Sequence, residues 1–132
     1  ITFILRKGTR EITNIDDVKK NLIDFQINYV YLENHSIKEQ IEIFNKADIV
    51  IGVHGAGLSW CVFMKNKSLL IEMYPGNSNT DNYIRWCKIA SVNYYRLPVN
   101  ITDGNEEDFR NATIHLNDFH ISKIKNKISN YL

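Results

Sequence analysis

Short apolar segments alternate with amphipathic segments along most of the chain, and this alternation constrains the fold more than any other feature. The apolar segments are rich in β-branched and aromatic residues and have the length of buried strands. Strands that alternate with helices pack as a parallel sheet, because each helix returns the chain to the same edge. Five strands are predicted, at residues 1–6, 27–32, 48–53, 68–74 and 93–99.

The segments between the strands carry helix start signals and helical spacing of apolar residues. Asn14 and Asn117 are placed to cap the first and last helices, and Ser36 with Glu39 has the spacing of a capping box. The sequence therefore predicts a Rossmann-like α/β domain over 1–132, with a mostly parallel sheet of about five strands and helices on both faces. The helices are predicted at 14–25, 36–47, 58–66, 81–91 and 116–132, with a polar loop at 100–113.

Composition limits the class of protein. The 132 residues are 44% hydrophobic and 23% charged, which is typical of one globular domain. A net charge of +1 gives no basic surface for nucleic acid, and no apolar run is long enough for a membrane segment. Cys61 and Cys87 lack companion metal ligands, so we interpret them as buried thiols and leave a disulfide open. Because the chain opens on a strand at Ile1, we expect it to be a fragment of a larger protein.

Three of the six glycines surround His54, in the segment GVHGAG that follows the third predicted strand. Ligands of parallel sheets bind beyond the carboxyl ends of the strands. Glycine lets the backbone approach a ligand closely, and the N–H groups of a following helix favour an anion such as a diphosphate. The spacing matches neither a dinucleotide fingerprint nor a P-loop, so a tight turn without a ligand stays open as the alternative.

Three charged residues are predicted to lie at the same edge of the sheet as His54. Arg6 ends the first strand, Arg10 follows it, and Glu72 is placed near the end of the fourth strand. Arginine offers a fixed fork of donors to phosphate, and a carboxylate can accept the hydroxyl groups of a ribose. A solvated turn for Arg6 and an ion pair with a helix for Glu72 are the alternatives. Together the residues favour a nucleotide-type ligand.

The order of the motifs over roughly residues 4–97 resembles glycosyltransferase family 61. The family's arginine segment, its E-Q-I segment, its hallmark V-G-x-H-G-A-G-L-T-N and its later F-M and E-x-x-P positions all have counterparts. One departure is Trp60, where the family usually has a small polar residue, and its bulk is expected to narrow the site. The matching residues are Arg6, Arg10, Ile12 and Asn14, then SIKEQIEIFNKAD at 36–48, IGVHGAGLSW at 51–60, and Phe63, Met64, Glu72 and Pro75.

The resemblance implies one half of a two-domain enzyme of the GT-B type. The chain would be the C-terminal, donor-binding domain, and the missing N-terminal domain would hold much of the site for a glycan or glycoprotein acceptor. The family implies transfer with inversion, without a metal and without a cofactor, from a nucleotide sugar that is mostly uridine-diphosphate (UDP)-linked. Relatives work in the secretory pathway of eukaryotes or make bacterial surface polysaccharides, so the compartment stays open.

Within that frame, the hypothesis for the site places the donor diphosphate on the loop after the third strand. Arg6 and Arg10 would neutralise the leaving diphosphate, Glu72 would hold the ribose, and His54 would contact the phosphate or the sugar. His54 is also a weak candidate for the catalytic base, which we expect instead in the missing domain. The loop contacts are assigned to the amides of Gly55, Ala56, Gly57 and Leu58 and to the hydroxyl of Ser59.

Two other functions are left open. The chain can be a nucleotide- or sugar-binding module without catalysis of its own. Less favoured is an α/β hydrolase that uses HGAG as its oxyanion loop, because Ser59 lacks the second glycine of a G-x-S-x-G nucleophile motif. The remaining histidines, His35, His115 and His120, are interpreted as surface residues.

Overall fold

A six-stranded sheet with helices on both faces makes up the computed structural model, which describes residues 1–76, 81–104 and 109–132. Four α-helices and three short 3₁₀ helices accompany the sheet in these ranges. The strands are β1 (Thr2–Leu5), β2 (Asn28–Tyr31), β3 (Ile49–Val53), β4 (Leu69–Pro75), β5 (Asn93–Asp103) and β6 (Thr113–His115). The α-helices are α1 (Ile15–Asn21), α2 (Ile37–Lys46), α3 (Asn82–Ile89) and α4 (Asp118–Tyr131), and the 3₁₀ helices are Leu32–Asn34, Ala56–Phe63 and Phe109–Asn111.

The strand order is β2-β1-β3-β4-β5-β6. The first five strands pair in parallel, and β6 pairs antiparallel with β5. The predicted α/β class with a mostly parallel sheet is therefore confirmed. The sixth strand was missed because its three residues lie in a polar stretch without a continuous apolar run, and β5 continues to Asp103 inside the predicted loop. Residues 105–108 of that loop lie outside the described residues.

Apolar side chains form one core on each face of the sheet. The first core joins alternate residues of β1, β3, β4 and β5 to α1 and α4, for example Ile51, Val18 and Ile124. The second joins the remaining alternate residues to α2, α3 and the 3₁₀ helix Ala56–Phe63, for example Val50 and Phe44. This division confirms the prediction of helices on both faces, which rested on the nearly continuous apolar runs of strands that are covered on both sides. None of the helices in the described ranges is long and apolar enough to cross a membrane.

Two of the three predicted caps are present. Ser36 Oγ accepts the Glu39 amide at 3.2 Å while Glu39 Oε2 accepts the Ser36 amide at 2.7 Å, which closes the predicted capping box of α2. Asn117 caps α4 in the same reciprocal way with His120. His120 is buried, so its assignment to the surface was wrong.

The prediction that Asn14 caps α1 was wrong. Its side chain donates to the carbonyl of Leu116 at 2.7 Å and accepts the Leu116 amide at 3.1 Å, so it joins the start of α1 to the segment after β6. The predicted helix at 58–66 also differs, since it begins two residues earlier, at Ala56, and is a 3₁₀ helix throughout.

Candidate functional site

The strand order creates a crevice between β1 and β3. The chain leaves β1 towards α1 on one face and leaves β3 towards the 3₁₀ helix Ala56–Phe63 on the other, so the carboxyl ends of these neighbours mark a topological switch point. A cavity of about 320 Å³ opens there. Its walls include Arg6, Lys7, Glu33 and Gly57. The predicted arginine and glycine segments therefore meet at the edge where open α/β sheets bind ligands.

A larger cavity, of about 530 Å³, lies at the opposite edge of the sheet. It is lined by residues around the starts of β1 and β2 and the end of α2, such as Thr2, Asn28 and Lys46. None of the predicted site residues lines it. Size alone thus does not identify the site, since three of the predicted site residues, Arg6, Gly57 and Leu58, line the smaller cavity instead.

Gly55 brings the two predicted arginines together. A Cβ atom built on Gly55 would lie less than 3.0 Å from Arg6 Nη1 and 3.1 Å from Arg10 Nη1. Both guanidinium groups therefore lie side by side against a backbone that only glycine leaves uncovered. Among the described residues, neither arginine has an acidic salt-bridge partner. The pair forms a cationic surface that suits a ligand with more than one negative charge.

Arg10 is held in place from both ends. Its amide donates to the carbonyl of Ala112 at 2.8 Å, and its Nη1 donates to the carbonyl of His54 at 2.9 Å. Its backbone has a φ of 51°, a left-handed conformation that is uncommon outside glycine. Burial lowers the pKa of Arg10, and the like charge of Arg6 lowers it further. Such a guanidinium is positioned at a free-energy cost, which a bound anion would offset.

His54 and Glu72 are brought together, as predicted, but Glu72 does not lie at the edge. It is the fourth of seven residues of β4, because that strand continues through Pro75. Its side chain is fully buried. One carboxylate oxygen bonds with His54 Nδ1, and the other accepts the hydroxyl of Tyr94. A carboxylate with this burial has no surface to offer a ribose, so the structure does not support the predicted contact.

The hydrogen-bonded chain extends from Glu72 to β5. Arg96 Nε donates to the Tyr94 hydroxyl at 3.0 Å and lies 3.9 Å from Glu72 Oε2. Burial raises the pKa of Tyr94, and the hydrogen bond to Glu72 raises it further. Tyr94 therefore stays protonated and acts as a donor at neutral pH.

Aromatic rings enclose the imidazole of His54. The ring centroids of Tyr74, Tyr83 and Phe109 lie 4.8, 5.3 and 5.5 Å from that of His54. Only 15% of the His54 side chain is exposed. The Tyr83 hydroxyl donates to the carbonyl of Gly55, which connects α3 to the glycine loop. These contacts fix both the imidazole and the loop that carries it.

The other predicted loop residues differ in what they can offer a ligand. The Leu58 amide donates to the Gly55 carbonyl at 3.0 Å, and its side chain is buried, so Leu58 belongs to the loop structure. Ala56 is exposed and Gly57 lines the cavity, so their amides are better placed. Ser59 is half-buried. Trp60 does not line this cavity; its Nε1 donates to Gln40 of α2 at 2.9 Å.

Sequence reasoning missed Tyr83, Tyr94 and Arg96. The signal that could have found the last two is the alternation of side chains along a strand. The register pairs Gly52 with Glu72 and Glu72 with Arg96, so these residues share one face of the sheet. Continuous apolar strands hide this alternation, because neither face of the sheet reads as polar.

The two cysteines are buried and free, as predicted for thiols. A hydrogen bond between them lowers the pKa of Cys61, while the same bond and burial raise that of Cys87. The described residues contain no group of three or more histidine, cysteine, aspartate or glutamate side chains placed to hold a metal ion.

Comparisons with known proteins bear on the family and the fold of the chain. The family model described as Glycosyltransferase 61 matches residues 1–71. Alpha-1,3-arabinosyltransferase XAT3 of Oryza sativa subsp. japonica is 31% identical over 78 residues, which are 57% of this chain and 14% of that protein. Beta-1,2-xylosyltransferase XAX1 of the same plant is 27% identical over 97 residues, which are 72% of this chain and 16% of that protein.

An animal relative has a similar extent of identity. Protein O-linked-mannose beta-1,4-N-acetylglucosaminyltransferase 2 of Takifugu rubripes is 28% identical over 95 residues, or 70% of this chain and 16% of that protein. The chain thus matches about one seventh of the length of these relatives. Among solved structures, the flavodoxin-like domain of a Synechococcus sp. protein superposes with a TM-score of 0.61 at 10% identity, covering 98% of this chain and 93% of that one. That likeness shows the fold alone.

Proposed function

The chain belongs to glycosyltransferase family 61, and from this premise we propose that it is the donor-binding domain of a glycosyltransferase. It binds a nucleotide-diphosphate sugar, UDP-linked, whose sugar is transferred to a glycan or protein-linked acceptor. The relatives are named as arabinosyl-, xylosyl- and N-acetylglucosaminyltransferases, which supports this reaction class. We further propose that a second, N-terminal domain supplies much of the acceptor site.

The convergence of Arg6 and Arg10 on Gly55 is the observation that carries the proposal. The two guanidinium groups, held side by side at the switch point, repel each other. An anion bound to both of them would offset this repulsion. A diphosphate provides that charge, and guanidinium groups bind its oxygens through charge-assisted hydrogen bonds. Lys7, on the wall of the same cavity, adds a third cation. The amides of Ala56 and Gly57 complete the diphosphate contacts.

These residues also explain how transfer would be accelerated. When the bond between the sugar and the diphosphate breaks, negative charge grows on the leaving diphosphate. Positioned guanidinium groups stabilise that charge without reorganising during the reaction. Arg6 and Arg10 would thus supply the electrostatic stabilisation that a metal ion supplies in other transferases, with neither metal nor cofactor. Inversion at the sugar carbon is proposed with it, the base coming from the second domain.

The hydrolase alternative gains nothing from the geometry. Its nucleophile would be Ser59, which lacks the second glycine of a G-x-S-x-G motif. Among the described residues, no hydrogen bond joins Ser59 to the histidine of the loop, so the pair lacks the contact between nucleophile and base that a triad needs. A binding module without catalysis uses the same diphosphate contacts as the transferase, so the two are separated by assaying transfer from a UDP-sugar and not by binding.

Isothermal titration calorimetry with UDP tests the proposal. Arg6→Ala should weaken UDP binding by about 1.5–3 kcal/mol, the loss typical of a hydrogen bond to a charged group, or roughly 10- to 150-fold. Arg85→Ala is the matched control, because it removes the same charge from an exposed position on α3. Equal UDP affinities in Arg6→Ala and the unmodified chain would refute the assignment.

A further inference from the structure

We propose that Glu72 and Tyr94 are positioning residues that hold His54 with its proton on Nδ1, so that Nε2 accepts a hydrogen bond from a hydroxyl group of the activated sugar. The ligand part of this inference rests on the proposed function, whereas the tautomer can be measured without any ligand. The directions of consecutive hydrogen bonds fix where each proton lies.

The first step concerns Tyr94. Arg96 Nε can only donate, so the Tyr94 oxygen accepts this bond, at 3.0 Å. The phenolic proton is then directed to Glu72 Oε2, the other partner of that hydroxyl. Glu72 Oε2 is therefore an acceptor and carries no proton of its own.

The second step concerns the other carboxylate oxygen. Oε1 of Glu72 and Nδ1 of His54 share one proton between them. A carboxyl group is ordinarily far more acidic than an imidazole. The shared proton consequently belongs to Nδ1, and Glu72 accepts at both oxygens.

The remaining polar atom of the His54 imidazole is Nε2. With one proton, on Nδ1, the ring has a lone pair on Nε2 and can only accept there. An imidazole ordinarily carries a single proton at neutral pH. An ionised diphosphate offers acceptors only and cannot bond to this nitrogen. A hydroxyl group can, which assigns His54 to a hydroxyl of the donor instead of to its phosphates.

The surroundings prevent the ring from exchanging its two nitrogens. Tyr74, Tyr83 and Phe109 surround the imidazole, and a 180° rotation about its bond to the chain would break the bond to Glu72. No other described residue forms a hydrogen bond with Nε2. The bond to Glu72 thus fixes the orientation of the ring and leaves Nε2 without a hydrogen-bond partner among the described residues.

Long-range ¹H–¹⁵N correlation spectra of the imidazole at neutral pH, without ligand, test the tautomer. We expect the pattern of a protonated Nδ1 and an unprotonated Nε2, with the signals assigned through their loss in His54→Gln. Tyr94→Phe should shift the population away from this pattern, whereas Tyr95→Phe, at the neighbouring position on the other face of β5, should not. Glu72→Gln should also shift the population away from this pattern. Glu42→Gln, at an exposed position of α2, is its control. A protonated Nε2 in the unmodified chain would overturn the inference.

The ligand part is tested with UDP and with UDP-xylose, UDP-arabinose and UDP-N-acetylglucosamine. His54→Ala should weaken binding of the tightest UDP-sugar by roughly 5- to 30-fold and change UDP binding less than twofold. Arg6→Ala should weaken both. Equal losses for both ligand types in His54→Ala would overturn the hydroxyl contact. If none of these ligands binds the unmodified chain, the hydroxyl contact and the proposed function both fail, while the tautomer is judged by its spectrum.

Discussion

Replacing Gly55 by alanine should separate ligand binding from folding. The backbone there has a φ of 166°, an extended conformation open to any residue, so the added methyl group causes no backbone strain. The new Cβ would meet Arg6 Nη1 at less than 3.0 Å, where ordinary contacts begin at 3.4 Å. The guanidinium of Arg6 is the flexible end of a long side chain and can move away. Its displacement, by roughly 1 Å, should be the main structural change.

The magnitudes differ because the two properties depend on different atoms. Losing a hydrogen bond between Arg6 and a charged ligand costs about 1.5–3 kcal/mol of binding free energy, or roughly 10- to 150-fold in Kd. Folding loses only side-chain contacts at the edge of the sheet. Alanine also reduces the conformational freedom of the unfolded chain, which stabilises by roughly 0.4–1 kcal/mol. The free energy of unfolding should therefore change by less than about 1 kcal/mol.

Calorimetry with UDP measures the first quantity, and urea unfolding followed by circular dichroism measures the second. The expected result is weak or absent UDP binding in a chain of nearly normal stability. Normal UDP affinity in Gly55→Ala would show that the position of the Arg6 guanidinium does not matter to the ligand. A loss of several kcal/mol in stability would show that the guanidinium cannot move, and either result would refute the reasoning.

Three further predictions concern the fold. Gly52→Ala should destabilise by about 1–3 kcal/mol in urea unfolding, because its Cβ would lie 2.8 Å from Cδ2 of buried Leu58; an unchanged midpoint would contradict this. Ser36→Ala should lower the free energy of unfolding by about 1 kcal/mol, because α2 loses its cap; an unchanged melting temperature in thermal unfolding would contradict this. Burial lowers the pKa of His120 from 6.5, so the unfolded chain takes up the proton first and unfolding free energy should fall as pH drops below about 6.5. His120→Gln keeps an acceptor for the Asn117 amide without titrating, and an equally steep pH dependence in this variant would contradict the assignment.

The fold was largely predictable because its parallel strands are buried on both faces. Such strands are continuous apolar runs, and the five parallel ones were all found close to their observed positions. The antiparallel strand β6 gives no comparable signal. Its three residues are held partly by the segment after β1, since the Ile114 amide donates to the Glu11 carbonyl and Thr13 donates back to Ile114. Pairings between residues so distant in sequence leave no periodic pattern near either one.

The site was predictable in its location but not in its internal bonds. Strand order alone brings Arg6 to the edge that carries His54, and a sequence can indicate that much. It cannot indicate how far a strand continues past a charged residue. Because β4 runs on to Pro75, Glu72 lies three residues before the end of the strand, and its side chain is buried. Its role changes from a ligand contact to a partner of His54 for that reason.

The glycine loop thus has two different tasks on its two sides. On one side, Gly55, which has no Cβ, admits two guanidinium groups that carry positive charge and can only donate hydrogen bonds. On the other, Glu72 holds the imidazole of His54 so that its free nitrogen can bind only a donor. A sugar diphosphate presents both kinds of group a few bonds apart, oxygens with negative charge next to neutral hydroxyls. A free phosphate lacks the second group and a free sugar lacks the first, so the requirement for both in one ligand favours an activated sugar over either part alone.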